Sequence, residues 1–167
     1  MNELVTKAYG FAWGAHNEQM YGEESYVKGH LIEVIQVLHR FGFHEDTQPE
    51  LFAAAWLHDV LEDTQVKIQT LRQVFPRRVC YLVEALTDEP GRNRAERKAA
   101  TYKKIRAAGR DAVIIKLADR IANMEASSMS DLSFHEMYKK ERPAFIEALY
   151  SYHDDLENMW AHLRVLY

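Results

Sequence analysis

The stretch that most constrains this chain is Leu51 to Asp63. It contains neither Gly nor Pro, runs Leu-Phe-Ala-Ala-Ala-Trp-Leu, and then turns polar at His58-Asp59 and Glu62-Asp63. Such a run behind Pro49 predicts a buried helix. On a helix His58 and Glu62 lie four residues apart, as do Asp59 and Asp63, so each pair shares a side. His58 and Asp59 point about 100° apart and meet on one ion only if it lies between their two faces. Buried carboxylates are costly unless paired or metal-bound. Two readings follow: half of a metal site with a catalytic carboxylate pair beside it, or a solvated helix end with an ordinary histidine.

The flanking chain reads as more helix. Residues 3–20 carry a stripe of Leu4, Val5, Ala8, Phe11, Ala12 and Ala15 and should close near Tyr21-Gly22. A second helix should begin around Gly29 or His30, with Leu31, Val34, Ile35 and Leu38 inward. A brief helix ends at Phe75-Pro76, another spans Val79 to Leu86, and a charged one runs from Arg92 to about Ala108, stopped by Gly109. Asp111 to Ser127 is the second strongly apolar helix, because its 3.6-residue pattern continues through Met124. Ser130 to Tyr138 reads as a loop or short helix, and Pro143 as the start of a last helix reaching Leu166. The expectation is an all-α fold of seven or eight helices in a single domain, residues 1–167.

Charge and cysteine narrow the classes of function. A net charge of −4 supplies no basic field for nucleic acid. The single cysteine, Cys80, forms no internal disulfide and sits in an apolar run, so it reads as a structural thiol in a reducing, cytoplasmic setting. No signal peptide and no stretch of membrane-spanning length stands out.

The second polar interruption of a buried helix is Lys116-Leu117-Ala118-Asp119-Arg120-Ile121-Ala122-Asn123. Lys116, Asp119 and Asn123 share a face by spacing. Asp119 reads either as an ion-pair partner for Lys116 or Arg120, or as a further metal ligand. Of the eight histidines, His30 stands at a helix start and His16 at a helix end, where it could line a cleft. His39, His44, His135, His153 and His162 lack a partner at metal-like spacing and read as surface or packing residues. His30, His58, Asp59 and Asp119 make a set of two imidazoles and two carboxylates. That set suits a hard-to-borderline ion such as Mn²⁺, with Fe²⁺, Co²⁺ and Zn²⁺ also compatible, and such an ion activates water.

These residues fit the H…HD…D pattern of the HD phosphohydrolase superfamily. Leu57-His58-Asp59-Val60-Leu61-Glu62-Asp63-Thr64 resembles the LLHDVVEDT of the alarmone hydrolases. Ile115 to Arg120 with Asn123-Met124 resembles their IKLADRLHNM. His16, Gln19, Gly22 and Tyr26 are similar to the HxxQ…G…Y ahead of the first ligand, and Glu96-Arg97-Lys98 to the ERK of the stand-alone metazoan-type enzymes. The resemblance spans residues 8–128, with no synthetase domain attached, and implies a small single-domain relative of the RelA/SpoT hydrolase half. It implies Mn²⁺-dependent removal of the 3′-pyrophosphate from guanosine or adenosine tetra- or pentaphosphates. His30, His58, Asp59 and Asp119 would hold the metal. Glu62 and Asp63 would orient or deprotonate the attacking water, and Asn123 would contact the ribose or its neighbour. Lys116 and Tyr26 join Asn123 as residues expected around the substrate. The basic residues Arg97 and Lys98, with Arg92 and Arg94, would meet its 5′-phosphates.

The sequence departs from that pattern on the side where the base is recognised. Met20-Tyr21 stand where a basic pair usually follows the Gln, Tyr26 and His30 are one residue further apart than in YxxHP, and Glu125-Ala126 replace Arg-Thr. Tyr21 is then expected to stack on the nucleobase with little regard to its identity, so adenosine substrates should be tolerated. Two other functions remain compatible: another phosphate-ester hydrolase, such as a nucleotidase or an NADPH 2′-phosphatase, or a non-catalytic metal-bearing regulatory or antitoxin domain. A pyrophosphorylated tRNA end is the one nucleic-acid substrate left open, and no membrane partner is expected.

Overall fold

In the computed structural model, which describes residues 2–151 and 154–167, the Leu51 stretch lies at the centre. Helix α3 (Pro49–Leu57) opens with Pro49 in its first turn, where the missing N–H costs nothing. Every residue from Leu51 to Leu57 is buried. A helix apolar all round must be covered on all sides. The cover comes from α1 (Glu3–Ala15), α2 (Ile32–Arg40), α6 (Arg77–Leu86) and α8 (Arg110–Ser130). One continuous core results, including Phe52, Leu82, Ile114, Ile115 and Leu117.

The remaining elements close around this frame. Helix α4 (Val60–Asp63) follows α3 and α5 (Ile68–Val74) precedes α6. Helix α7 (Arg94–Ala108) is capped by the Asn93 side chain, which accepts from the Glu96 N–H at 2.9 Å. It turns into α8 at Gly109, whose φ of +96° is the left-handed region that glycine enters without penalty. Helices α9 (Leu132–Leu149) and α10 (Glu157–Leu166) pack on α8. Among the described residues no helix is long and apolar enough to cross a membrane.

The all-α expectation holds, with more helical segments than seven or eight and one small hairpin. Three expected boundaries are corrected. Helix α1 ends at Ala15 rather than near residue 20, because Met20–Tyr21 (β1) pairs antiparallel with Glu24–Ser25 (β2). Gly22, φ +62°, opens the two-residue turn of that hairpin instead of capping a helix. The Leu51 helix does not run unbroken to Asp63: it stops at Leu57 and restarts at Val60. Pro143 does not start the last helix but lies inside α9, which is begun by Asp131 accepting from the Ser133 and Phe134 N–H groups. Burial of Phe145 and Leu149 carries that helix past the proline. It ends at Tyr150, so the aromatic C-terminal stretch is two helices.

Cys80 is buried, as its apolar setting suggested. His39 packs against Phe52 at 4.8 Å, His135 contacts Ser127, and His162 pairs with Glu125 at 2.7 Å. His153 lies outside the described residues.

Candidate metal centre

Three elements carry the four expected ligands. His30 lies in a π-helical turn, Val27–Leu31, that leads into α2. A π-turn holds one residue more than an α-turn, which is the one extra residue noted between Tyr26 and His30. The turn absorbs it, and both side chains still reach the same place: the Tyr26 hydroxyl donates to Asp59 Oδ2. His58 and Asp59 occupy the break between α3 and α4. Asp59 has φ −100° and ψ −2°, and its carbonyl accepts from the N–H groups of Glu62 and Asp63. Asp119 comes from the middle of α8.

The donor atoms converge. His58 Nε2 lies 3.0 Å from Asp59 Oδ2 and 3.8 Å from Asp119 Oδ1. His30 Nε2 lies 3.4 Å from each of those two oxygens and 3.4 Å from His58 Nε2. Bonds of about 2.0–2.2 Å to one ion separate neighbouring donors by roughly 3.0–3.6 Å, so the spacing fits a single divalent cation. His30, His58 and Asp119 form the fully buried triplet, and Asp59, less buried, closes on both imidazoles. The break at His58-Asp59 is what turns two adjacent side chains toward one point.

The surroundings prepare these atoms for a cation. His58 Nδ1–H donates to the Ala55 carbonyl at 2.7 Å, which leaves the Nε2 lone pair facing the cluster. Lys116 Nζ donates to Asp119 Oδ2 at 2.7 Å and Asn123 Nδ2 to Asp119 Oδ1 at 2.6 Å. Asp119 therefore pairs with Lys116 and also faces the histidines. Arg120 turns away, buried against Tyr138 and Phe145 and bonded to Glu141. Burial lowers the affinity of His30 and His58 for a proton, yet the neighbouring Asp119 and Asp59 outweigh it and both imidazoles are raised. Burial pushes the two carboxyls up, but Lys116 and the histidines hold Asp119, and the histidines hold Asp59, well below the carboxylate range.

Glu62 and Asp63 lie on α4, just past the break, and their side chains bond outside the cluster. Glu62 is exposed and accepts from the Asp88 N–H at 2.6 Å. Although the residue as a whole is exposed, neighbouring groups partly desolvate its carboxyl, and this, then the charges of Asp59 and Asp88, lifts it above its ordinary range. Asp63, also exposed, accepts from Gln19 Nε2 at 3.1 Å.

The residues expected around a substrate are distributed unevenly. Tyr21 does not stand free: its ring stacks on His30, centroids 5.4 Å apart and 26° between planes, and its hydroxyl donates to Asn123 Oδ1. Lys98 pairs with Asp88 at 2.7 Å, beside the Glu62 contact. Arg97 is half-buried, while Arg92 and Arg94 are neutralised by Glu96 and Glu141. The basic segment is thus largely a set of ion pairs rather than an open cationic surface. Sequence reasoning missed the Tyr26 hydroxyl as a brace on Asp59, Asp88 as the anchor of Glu62, and the Ala55 carbonyl. Only Tyr26 carried a signal, its place in the motif.

Comparison with known proteins agrees with this architecture. The family model described as "HD domain" matches residues 8–142. A *Danio rerio* protein, guanosine-3′,5′-bis(diphosphate) 3′-pyrophosphohydrolase MESH1, is 30% identical over 124 residues, covering 72% of this chain and 67% of that one. An *Aquifex aeolicus* guanosine-3′,5′-bis(diphosphate) 3′-pyrophosphohydrolase is 33% identical over 127 residues, covering 74% of this chain and 18% of its own length. A *Brucella abortus* GTP pyrophosphokinase rsh is 32% identical over 127 residues, covering 72% and 16%. This chain therefore spans under a fifth of those two bacterial relatives. The solved structure of a metazoan ortholog of SpoT that hydrolyzes ppGpp superposes with a TM-score of 0.80 over 100% of this chain and 98% of that one, at 23% identity. With the family model matched across most of its length, the chain belongs to the HD domain family.

Proposed function

We propose that this chain is a divalent-metal-dependent hydrolase that removes the 3′-pyrophosphate from guanosine or adenosine tetra- and pentaphosphates. The observation that carries the reading is the convergence of two imidazole nitrogens and two carboxylate oxygens at 3.0–3.8 Å, with a carboxylate pair on the adjoining turn. The names of the *Danio rerio* and *Aquifex aeolicus* relatives supply the substrate class. Donors of two nitrogens and two oxygens, without thiolate, suit a hard-to-borderline ion such as Mn²⁺, with Fe²⁺, Co²⁺ and Zn²⁺ also compatible. When bound, such an ion polarises a phosphoryl oxygen and makes water more acidic.

The chain's own residues supply the rest. Glu62, one turn from the metal ligands and anchored by the Asp88 N–H, takes a proton from the attacking water, a role its raised affinity for a proton suits. Asp63 orients that water. Lys116, Asn123 and Tyr26 hold the two aspartates in place through the bonds described above. Lys98, whose partner Asp88 also anchors Glu62, lies where a substrate phosphate could exchange with the Asp88 carboxylate.

The test is an Mn²⁺-supplemented assay comparing guanosine and adenosine 3′-pyrophosphates with NADPH and nucleoside monophosphates. Pyrophosphate release from the 3′-position is expected. Cleavage of NADPH or of monophosphates with the 3′-pyrophosphates left intact would replace this reading with another phosphate-ester hydrolase.

A further inference from the structure

Gln19 is joined to both the first helix and the carboxylate pair. His16 caps α1 and is buried, 2% exposed, with its ring stacked on Tyr26 at 4.8 Å and 23°. Its Nδ1 lies 2.6 Å from Gln19 Oε1, and Gln19 Nε2 lies 3.1 Å from Asp63 Oδ2. The other His16 nitrogen, Nε2, is buried without a partner among the described residues. An apolar ring would fill this position and stack on Tyr26 without that penalty. What the imidazole adds is its single bond to Gln19.

The direction of the bonds follows from donors and acceptors. The Asp63 carboxylate only accepts, so the Gln19 NH₂ must face it and Gln19 Oε1 must face His16. His16 Nδ1 is then the donor. Reversing the amide would set an oxygen against a carboxylate and leave the histidine bond unmade. The Gln19 backbone is itself fixed, its N–H bonded to the His16 carbonyl at 3.0 Å and its carbonyl accepting from Tyr26 N–H at 2.8 Å. Asp63 by contrast is exposed at the edge of an open cleft shared with His16, Gln19, Thr64 and Thr70. An exposed carboxylate samples several rotamers unless something holds it, and a displacement of about 1 Å at a reacting group can cost about a hundredfold in rate.

We propose that Gln19 is a positioning residue for Asp63, and that His16 fixes which end of the Gln19 amide faces it. The proposal rests on the reading that Asp63 orients the attacking water. Gln19→Ala is expected to lower kcat about tenfold or more, with KM and thermal stability nearly unchanged. In the Asp63→Ala background the same substitution should cost nothing further, because the group it positions is gone. An equal loss in both backgrounds overturns the proposal. His16→Asn keeps an N–H at the Nδ1 position, whereas His16→Phe keeps the ring and its stacking. The asparagine variant should therefore be the more active and the less stable of the two, and the reverse order of activity removes His16 from the arrangement.

A second readout needs no turnover. The Gln19 side-chain amide resonances, assigned by their loss in Gln19→Ala, should move in Asp63→Ala, which removes the acceptor, and stay put in Thr70→Ala, a change on the same cleft. If the wild type hydrolyses none of the nucleotides, the functional reading fails while the amide signal still reports on the contact. An amide signal unmoved by Asp63→Ala overturns the contact itself.

Discussion

At the scale of single residues, the two carboxylates beside the cluster are held differently, and their substitutions should separate. Asn at position 63 can still accept from Gln19 through its amide oxygen, so Asp63→Asn preserves the local contact while removing the charge. We expect it to keep the fold and the metal and to lose about 10²–10⁴-fold in kcat. Thermal unfolding, metal titration and steady-state kinetics measure the three quantities, and undiminished kcat would remove Asp63 from the mechanism and leave Glu62 to act alone. Tyr21 gives a second expectation, revised by the structure. Because its ring lies on His30 and its hydroxyl on Asn123, Tyr21→Ala disturbs the cluster as well as any bound base. Metal affinity should fall about tenfold or more, in line with other groups that support metal ligands. Tyr21→Phe, which loses only the Asn123 bond, should fall less. A rise in KM for both nucleotides, with metal affinity intact, would instead restore the ring to base stacking.

At the scale of elements, the hairpin and the π-helical turn act together. Gly29, in the turn, has little room for a side chain: an added Cβ would meet Tyr21 Cδ1 at 3.1 Å and the Tyr21 carbonyl oxygen at 3.2 Å, so Tyr21 would have to give by a few tenths of an ångström. Overpacking of this kind costs about 1–3 kcal/mol, against roughly 1 kcal/mol returned by the better helical propensity of alanine. The steric cost should win, since one of the atoms met is backbone. Gly29→Ala is expected to lower Tm by a few degrees, about 2–4 °C per kcal/mol for a chain of this size. It should weaken metal binding as well, because the strand it pushes carries the ring on His30. Calorimetry with and without Mn²⁺ checks both. An unchanged Tm together with unchanged metal affinity would show that the turn and hairpin are not rigidly joined.

At the scale of the whole molecule, the cluster links folding, protons and metal. Without an ion, His30 and His58 are raised in the folded state, so the stability they contribute is present below the ordinary histidine range and is lost as pH rises through their folded values. Asp59 and Asp119 are lowered, so theirs is present above the ordinary carboxylate range and is lost as pH falls through their folded values. A cation must displace the histidine protons, so its affinity rises with pH across that window. At a free metal concentration about 100 times Kd the gain is about 2.7 kcal/mol, several degrees in Tm. We expect the increment from a fixed Mn²⁺ concentration to be larger at about pH 8 than at about pH 6, and chelator to abolish it. An increment larger at the lower pH would mean that the ion binds elsewhere.

How much of this was legible in the chain depended on range. The buried character of Leu51 to Leu57, the second apolar helix through Asp119 and the identities of the converging side chains follow from patterning within a few residues, because a core helix must be apolar and a charge inside it needs a partner. The break at His58-Asp59 was not legible, since nothing in Leu57-His58-Asp59-Val60 disfavours a continuous helix. It exists because Asp59 gains contacts with His30 and Tyr26, which arrive from a different part of the chain. The end of α1 and the course of α9 were missed for different reasons. Strand pairing across Gly22 is a local hairpin that the helical stripe hid, whereas the burial of Phe145 and Leu149 beyond Pro143 is a tertiary gain that overrides a breaker signal. The cluster shows the same division. The motifs named its donors, while the hydrogen-bond partners that aim them, the Ala55 carbonyl, the Asp88 N–H and the Gln19 amide, were decided by tertiary structure. Two of these are backbone groups that every residue possesses, and the third acts only where folding sets it against Asp63.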